Sequence, residues 1–439
     1  MVKLLVFAGL STFQVLAYLR RGLVYIFLSL YLHYFLGMSV TLSTLFVTFS
    51  MIASSLGQAT IWGWLADQLF NRKHMVVWSE IVAGLGHILL WWLHRLAYDN
   101  YSPMAAAWVI TAGMTAIEAF WGASNVGWAS LMSDISPEGE RSTLFGRLSA
   151  IGGFGRIMGV IAASVLYSAG GFAGGGFYHG QLFFITAAII VASALLMHWT
   201  VRDEDLVYRR DQPRLDPTED VAAPNLLKYF DKRYFLLFLL ALAAINLGRN
   251  SIVLISNFYL KSRFAATDAE IGLVEASKSF SIILAGFLTP YIVRRFSDWG
   301  LFLGSVVFVM VLLVSFVLAP TLWLALLIGA GIWLVHVTLE ATSYSIVAEL
   351  VPASFRGRYF GIYNTVFFVS WGLGGSLVTG PTTDLLIFLG YDPVIAYTVA
   401  FIVAALLVAL GLVLGLYLFK NRPQVLAIEP LTRPLAEVA

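Results

Sequence analysis

Cysteine is absent from this 439-residue chain, and charge is scarce: lysine, arginine, aspartate and glutamate together make up 12% of it. The first absence excludes disulfides, thiolate metal sites and a cysteine nucleophile, and decides nothing about compartment. The second excludes an ordinary soluble domain, where about a quarter of residues are charged. The 27 basic and 25 acidic side chains nearly cancel, so there is no concentrated basic face for nucleic acid. Hydrolase and protease signatures are lacking, and no cofactor is implied. What is present is apolar: 59% hydrophobic residues and a mean hydropathy of +0.83, the composition of a polytopic membrane protein embedded in lipid bilayer.

Twelve apolar segments of spanning length predict an all-α protein of twelve transmembrane helices, arranged as two pseudo-symmetric six-helix bundles. Residues 1–201 and 234–419 are the expected bundles. Between them, residues 202–233 hold seven basic residues, eight acidic ones and three prolines, which reads as a cytoplasmic linker; residues 420–439 read as a cytoplasmic tail. Orientation follows from lysine and arginine in the loops. With the N-terminus inside, eighteen fall on the inner side, against Arg95, Lys261 and Arg263 on the outer side. Both termini are therefore expected in the cytoplasm, and the expected location is a prokaryotic inner membrane. The first segment is too long for a signal-peptide core and is expected to stay in the protein.

That segment carries two arginines at its midpoint, in the run YLRRGLVYIFLSLYL from Tyr18 to Leu32. An arginine at the bilayer centre costs about 2.5 to 3.5 kcal/mol, so it should face a protein interior or a water-filled cavity. Helical steps from Arg21 pick out Gln14, Tyr18, Tyr25 and Ser29, a polar stripe. Arg20 is turned about 100° away and is expected to pair elsewhere or to snorkel. The pattern returns 228 residues later in NLGRNSIVLISNFYL, where Arg249 matches Arg21 and shares a face with Asn246 and Asn257. A second repeat, DISPEGERSTLFG at Asp134 and ELVPASFRGRYFG at Glu349, falls between the fourth and fifth helix of each half. Parallel repeats of this kind place a substrate site near the midplane between the halves. The expected site has Arg21 and Arg249 facing one another, with Tyr18, Tyr25, Asn246 and Asn257 orienting the solute.

The residues after the second helix, Gly63-Trp-Leu-Ala-Asp67-Gln-Leu-Phe-Asn-Arg72-Lys73, are similar to the G-x-L-A-D-[RK]-x-G-[RK]-[RK] signature of the major facilitator superfamily. Gln68 stands in place of the first basic residue and Phe70 in place of the second glycine, and the resemblance covers essentially residues 1–420. A small residue lets two helices approach, and an aspartate in a basic loop can dock on a helix N-terminus or an arginine. In that family the loop latches the halves on the cytoplasmic side, so the resemblance implies a latch of Gly63, Asp67, Arg72 and Arg141. Gly146, Gly155 and Gly159 have the spacing of the glycine motif of drug antiporters, with Val160 where that motif has proline; the plainer reading is tight helix packing. The arginine pair also resembles that of the superfamily's organophosphate exchangers, which implies an anionic substrate, since guanidinium is the preferred partner of carboxylate and phosphate.

Glu118 shares a helical face with Trp121 and Asn125, and Glu340 shares one with His336 and Tyr344. In this architecture both helices line the cavity, which makes Glu340 with His336, and then Glu118, the candidate proton carriers. The bland alternative is that each neutralises an arginine, and Arg156 is the expected buried counter-ion of Glu118. Glu275 and Lys278, three apart, predict an intrahelical pair. Glu80 and His87 belong to no evident constellation. His336 and Glu340 have ligand spacing, but no second histidine or acidic cluster accompanies them, so no metal is expected. The sequence therefore points to a monomeric secondary active transporter, not an enzyme, moving a small organic anion or zwitterion by alternating access with proton coupling. The alternative is a proton-driven multidrug or lipid exporter, suggested by the 15% aromatic content. An intramembrane enzyme or a channel fits less well, lacking catalytic signatures in the one case and any need for two equivalent halves in the other.

Overall fold

The structure is a computed structural model and describes residues 4–68, 72–135, 141–201, 231–293, 295–351 and 356–422. Among these residues helix follows helix and no strand occurs. The first half comprises α1 (Leu4–Leu30, carried on by a π-helical turn at Tyr31–Phe35), α2 (Val40–Gly57, a π-helical turn at Gln58–Trp62, then Gly63–Gln68), α3 (Arg72–Asn100), α4 (Pro103–Ile135), α5 (Arg141–Leu166) and α6 (Gln181–Thr200). The second half comprises α7 (Lys232–Phe264), α8 (Asp268–Val293), α9 (Asp298–Leu318), α10 (Leu322–Leu350), α11 (Arg356–Gly374, a π-helical turn at Gly375–Thr379, then Gly380–Phe388) and α12 (Pro393–Lys420). Eleven of these are long and apolar enough to cross a membrane, and α11 reaches spanning length when its three pieces are taken together. The sequence 202–230 and the tail beyond 422, read above as linker and tail, lie outside the described residues.

Helix starts follow the sequence. Ser39, Asp231, Ser297, Thr321 and Asp392 each accept a hydrogen bond from an N–H of the first turn of α2, α7, α9, α10 and α12. Those donors have no partner inside the helix, so the caps satisfy them at the edge of a medium that offers little else. The glycines of α5 are a packing device: a Cβ on Gly155 would sit 2.1 Å from the Val15 carbonyl oxygen, and one on Gly159 would sit 2.0 Å from that of Leu19. Only bare backbone lets α5 approach α1 so closely.

Arg20 and Glu80 solve each other's burial. Arg20, 4% exposed, grips the fully buried Glu80 of α3 with both terminal nitrogens, Nη2 donating to Oε1 at 3.1 Å and Nη1 to Oε2. The same carboxylate accepts from Trp121 Nε1 at 3.2 Å and Ser124 Oγ at 2.6 Å on α4, and the guanidinium lies 4.0 Å from the Trp121 ring centroid. Three helices are thus pinned around one carboxylate, which fixes the rotation of α1 and turns Arg21 the other way.

The two halves touch on the side away from the described chain ends. His33 and Tyr34 at the end of α1 pack on Phe258 near the end of α7, with ring centroids 4.8 and 5.9 Å apart. Ser168, just beyond α5, donates to Asp268 of α8 at 2.6 Å, and Lys261 pairs with the same aspartate at 2.6 Å. Asp384 of α11 accepts from the backbone N–H groups of Val40 and Thr41 at 2.9 and 2.8 Å, capping α2 from the other half. Thr48 of α2 donates to the Gly372 carbonyl at 2.6 Å. At the opposite side, α1 begins beside the end of α6, Gly9 against Thr200, and the Tyr234 hydroxyl at the start of α7 donates to the Leu418 carbonyl of α12 at 2.8 Å.

Candidate functional site

Between the halves lies a cavity of about 440 Å³, within the range of small-molecule sites. From the first half it is lined by Tyr18, Arg21, Tyr25, Gln58, Glu118, Asn125 and Arg156, and from the second by Asn250, Glu275, Trp333, Phe368 and Trp371. Arg21 is exposed although it sits at mid-depth of α1, so water reaches the cavity. With the far side closed by the contacts above, that access runs to the side of the chain ends.

Arg21 extends its guanidinium 5.4 Å from the Tyr18 ring centroid, and Arg156 lies 5.7 Å from the ring of Trp333, across the boundary between the halves. Glu118 and Arg156 both line the wall, but no ion pair joins them among the described residues. Glu275 is held by Lys278 at 2.6 Å, the intrahelical pair its spacing predicted. Two guanidinium groups of the first half and two carboxylates, with amide and hydroxyl side chains and five aromatic rings between them, make a surface that can hold charge of either sign beside a flat ring.

Arg249 is placed differently from its counterpart. It is 4% exposed, donates through Nε to Asn246 Oδ1 at 2.8 Å, and stands outside the lining of the cavity. The cause is the rotation of α7: Gly248 faces α12, where a Cβ would meet the Ala404 carbonyl oxygen at 2.4 Å, and that contact brings Asn250 to the cavity instead. Asn246 and Asn257 are fully buried. Tyr18, Tyr25 and Arg21 occupy the cavity as expected, while Gln14 and Ser29 of the same stripe are buried against protein. Glu340 is half exposed, 3.8 Å from His336 Nε2, and lies outside the cavity lining. Gly63 opens the last helical piece of α2; the side chains of Asp67, Arg72 and Arg141 lie outside the described residues. Among the described residues no group of histidines and carboxylates could hold a metal ion.

Sequence reasoning passed over Asn250, Trp333, Phe368 and Trp371. A signal existed for Asn250, an amide beside an intramembrane arginine; the aromatic rings are indistinguishable in sequence from lipid-facing ones. Asp384 was also missed, because a cap supplied from 344 residues away leaves no local pattern. Its carboxylate joins the halves through a helix N-terminus, worth about 0.5 to 2 kcal/mol. Asp384→Asn is therefore expected to weaken closure of the far side. In this cysteine-free chain a single Thr44→Cys in the cavity wall reports it: thiol labelling from the far side should accelerate severalfold in the double variant. Equal rates in both backgrounds would take Asp384 out of the closure.

A family model for the Major Facilitator Superfamily matches residues 10–375. The chain belongs to that superfamily. As a member it is an integral membrane transporter that carries a small molecule. Among solved structures, the nucleoside transporter NupG superposes with a TM-score of 0.72 at 14% identity, covering 94% of this chain and 99% of that one. A bacterial homologue of the human lysosomal transporter Spinster, in an inward-facing and occupied conformation, gives 0.71 at 14% identity over 94% and 96%. A bacterial homologue of the iron transporter ferroportin, inward-facing, gives 0.63 at 13% over 93% and 99%. At these identities the likeness is one of fold. A search of the curated proteins finds no match.

Proposed function

We propose that this superfamily member is a proton-coupled secondary transporter for a small organic anion or zwitterion carrying a flat ring. The observation that supports it is the pairing of Arg21 and Arg156 in a cavity walled by Tyr18, Tyr25, Trp333, Phe368 and Trp371. The anionic end of the solute rests on the first half, whose guanidinium groups offer planar forks to a carboxylate or phosphate. A cationic end finds Glu118 or Glu275, and the rings take the flat body. NupG, by its name, carries nucleosides, which also join a flat ring to a polar body. With the chain ends in the cytoplasm, as the lysine and arginine distribution favours, the accessible side is the cytoplasmic one and this is the inward-facing form. Transport then requires the far-side contacts to part and the cytoplasmic side to close, with Asp67, Arg72 and Arg141 as the latch. Glu118, in the cavity wall, carries the proton; His336 and Glu340 are the second candidate.

A binding screen on the purified protein in detergent, setting anionic and zwitterionic metabolites against hydrophobic cations, tests the substrate class. Preference for hydrophobic cations turns the reading to a drug exporter. For an anionic ligand, Arg21→Ala should weaken affinity roughly ten- to hundredfold, since a charge-assisted hydrogen bond contributes about 1.5 to 3 kcal/mol. Arg21→Lys should lose nearly as much, because lysine keeps the charge without the fork. The same ordering is expected at Arg156, and wild-type affinity in both lysine variants would show that neither arginine grips the anion.

A further inference from the structure

Inside the second half, next to the cavity and sharing Asn250, Val253 and Trp333 with its wall, is a recess of about 20 Å³. That is room for one particle the size of a water molecule. Its polar lining is Arg249, Asn250, Ser256, Lys278 and His336. Both terminal amino groups of Arg249 are buried without a hydrogen-bond partner, and so is the amide nitrogen of Asn250, a residue 5% exposed. Lys278 donates to Glu275 at 2.6 Å and to Ser256 Oγ at 3.2 Å, which uses two of its three N–H groups. The charge of Lys278 is balanced by Glu275, whereas no carboxylate lies within ion-pair distance of Arg249 among the described residues.

The recess is therefore walled chiefly by donors and holds one positive charge with no ion-pair partner among the described residues, countered only by the more distant Glu340. Buried donors of this kind are found partnered in folded proteins, and a guanidinium in apolar surroundings needs an acceptor more than most groups do. A water molecule would supply a lone pair but would have to aim its own hydrogens at other donors. A monatomic anion accepts from all of them and cancels the charge.

We propose that this recess is a binding site for one halide-sized anion, chloride in a cell, held by the Arg249 fork and the Asn250 amide between α7, α8 and α10. A carboxylate or phosphate ester is too large for the space, which separates this site from the solute cavity and makes the inference independent of the solute proposed above. Because Asn250 and Trp333 serve both walls, an anion in the recess braces one side of the transport cavity.

The test is the melting temperature of the full-length protein in detergent, measured in sodium chloride, sodium bromide and sodium gluconate at equal ionic strength. Chloride and bromide should raise it with a saturating dependence, and gluconate, too large for the recess, should not. In Arg249→Gln the halide increment should vanish. Asn250→Asp, which sets a carboxylate beside the guanidinium, should melt at a temperature independent of halide. If Arg249→Gln does not fold, Arg249→Lys replaces it, with a roughly tenfold higher halide concentration needed for the same increment, because the fork is lost. Crystals grown in bromide should show its anomalous signal within hydrogen-bonding reach of Arg249. Identical melting in chloride and gluconate for the unsubstituted protein, a halide increment unchanged in Arg249→Gln or Arg249→Lys, or a bromide signal confined to Arg21 and Arg156 would each overturn the assignment.

Discussion

In Glu118→Gln, accumulation of solute driven by a pH gradient is expected to fall to background while exchange of solute for solute continues. Glu118 is 7% exposed, lines the cavity with Arg21, and has no hydrogen bond or ion pair among the described residues. A carboxylate so placed can be ionised when water and guanidinium groups surround it and neutral when the cavity closes and dries. Glutamine imitates the neutral form permanently. A cycle that must release a proton then stalls, but a cycle that carries solute in both directions moves no net proton and survives. Proteoliposomes with an imposed gradient measure the first, and counterflow of labelled solute measures the second. Full accumulation in Glu118→Gln together with its loss in Glu340→Gln would move the proton site to Glu340 and His336.

The largest effect on stability is expected from Glu80→Gln. Breaking a buried ion pair from one side leaves an uncompensated charge and costs about 3 to 5 kcal/mol. Arg20 would be left 4% exposed in the middle of the bundle with Trp121 above it and no ion-pair partner among the described residues. The melting temperature in detergent should fall by many degrees, and expression should fall with it. Replacing both partners, as Arg20→Leu with Glu80→Leu, should recover much of the loss, since no lone charge remains. A single variant that melts with the unsubstituted protein would mean that α1 is held to α3 by apolar packing alone.

The twelve segments and the duplication were legible because each rests on a local property, an apolar run of spanning length or a repeated string. The face of Glu118 was partly legible: Glu118 and Asn125 share the cavity as their common helical face implied, while Trp121 of that face turns to Arg20. Arg20 itself was correctly set apart from Arg21 by the angle between successive residues, but its partner was not found, since nothing in the sequence of α3 says which side of Glu80 meets α1. Arg249 shows where periodicity stops. A repeat fixes depth in the membrane, yet the rotation of α7 is set by the contact of Gly248 with α12, 156 residues further on, and that contact puts Asn250 rather than Arg249 on the cavity wall. Arg156 sits among the glycines of α5, where a close helix could bring the Glu118 carboxylate to it; in the fold it reaches toward Trp333 of the other half.

The π-helical turns at Gln58–Trp62 and Gly375–Thr379 each contain one residue more than an α-helical turn requires. Removing one residue from either turn restores plain α-helix, with every backbone hydrogen bond remade and the downstream piece kept on nearly its present face, whereas a deletion in plain α-helix turns that piece by about 100°. Elsewhere in α2 and α11 the same loss would shift every lipid-facing and protein-facing position at once, with no slack to absorb it. These two turns are thus the places where the length of the chain can vary across generations without opening a helix. Both lie in α2 and α11, the helices that join the halves, so such a change would leave the piece Gly63–Gln68 and the far-side piece that carries Asp384 facing as they do now.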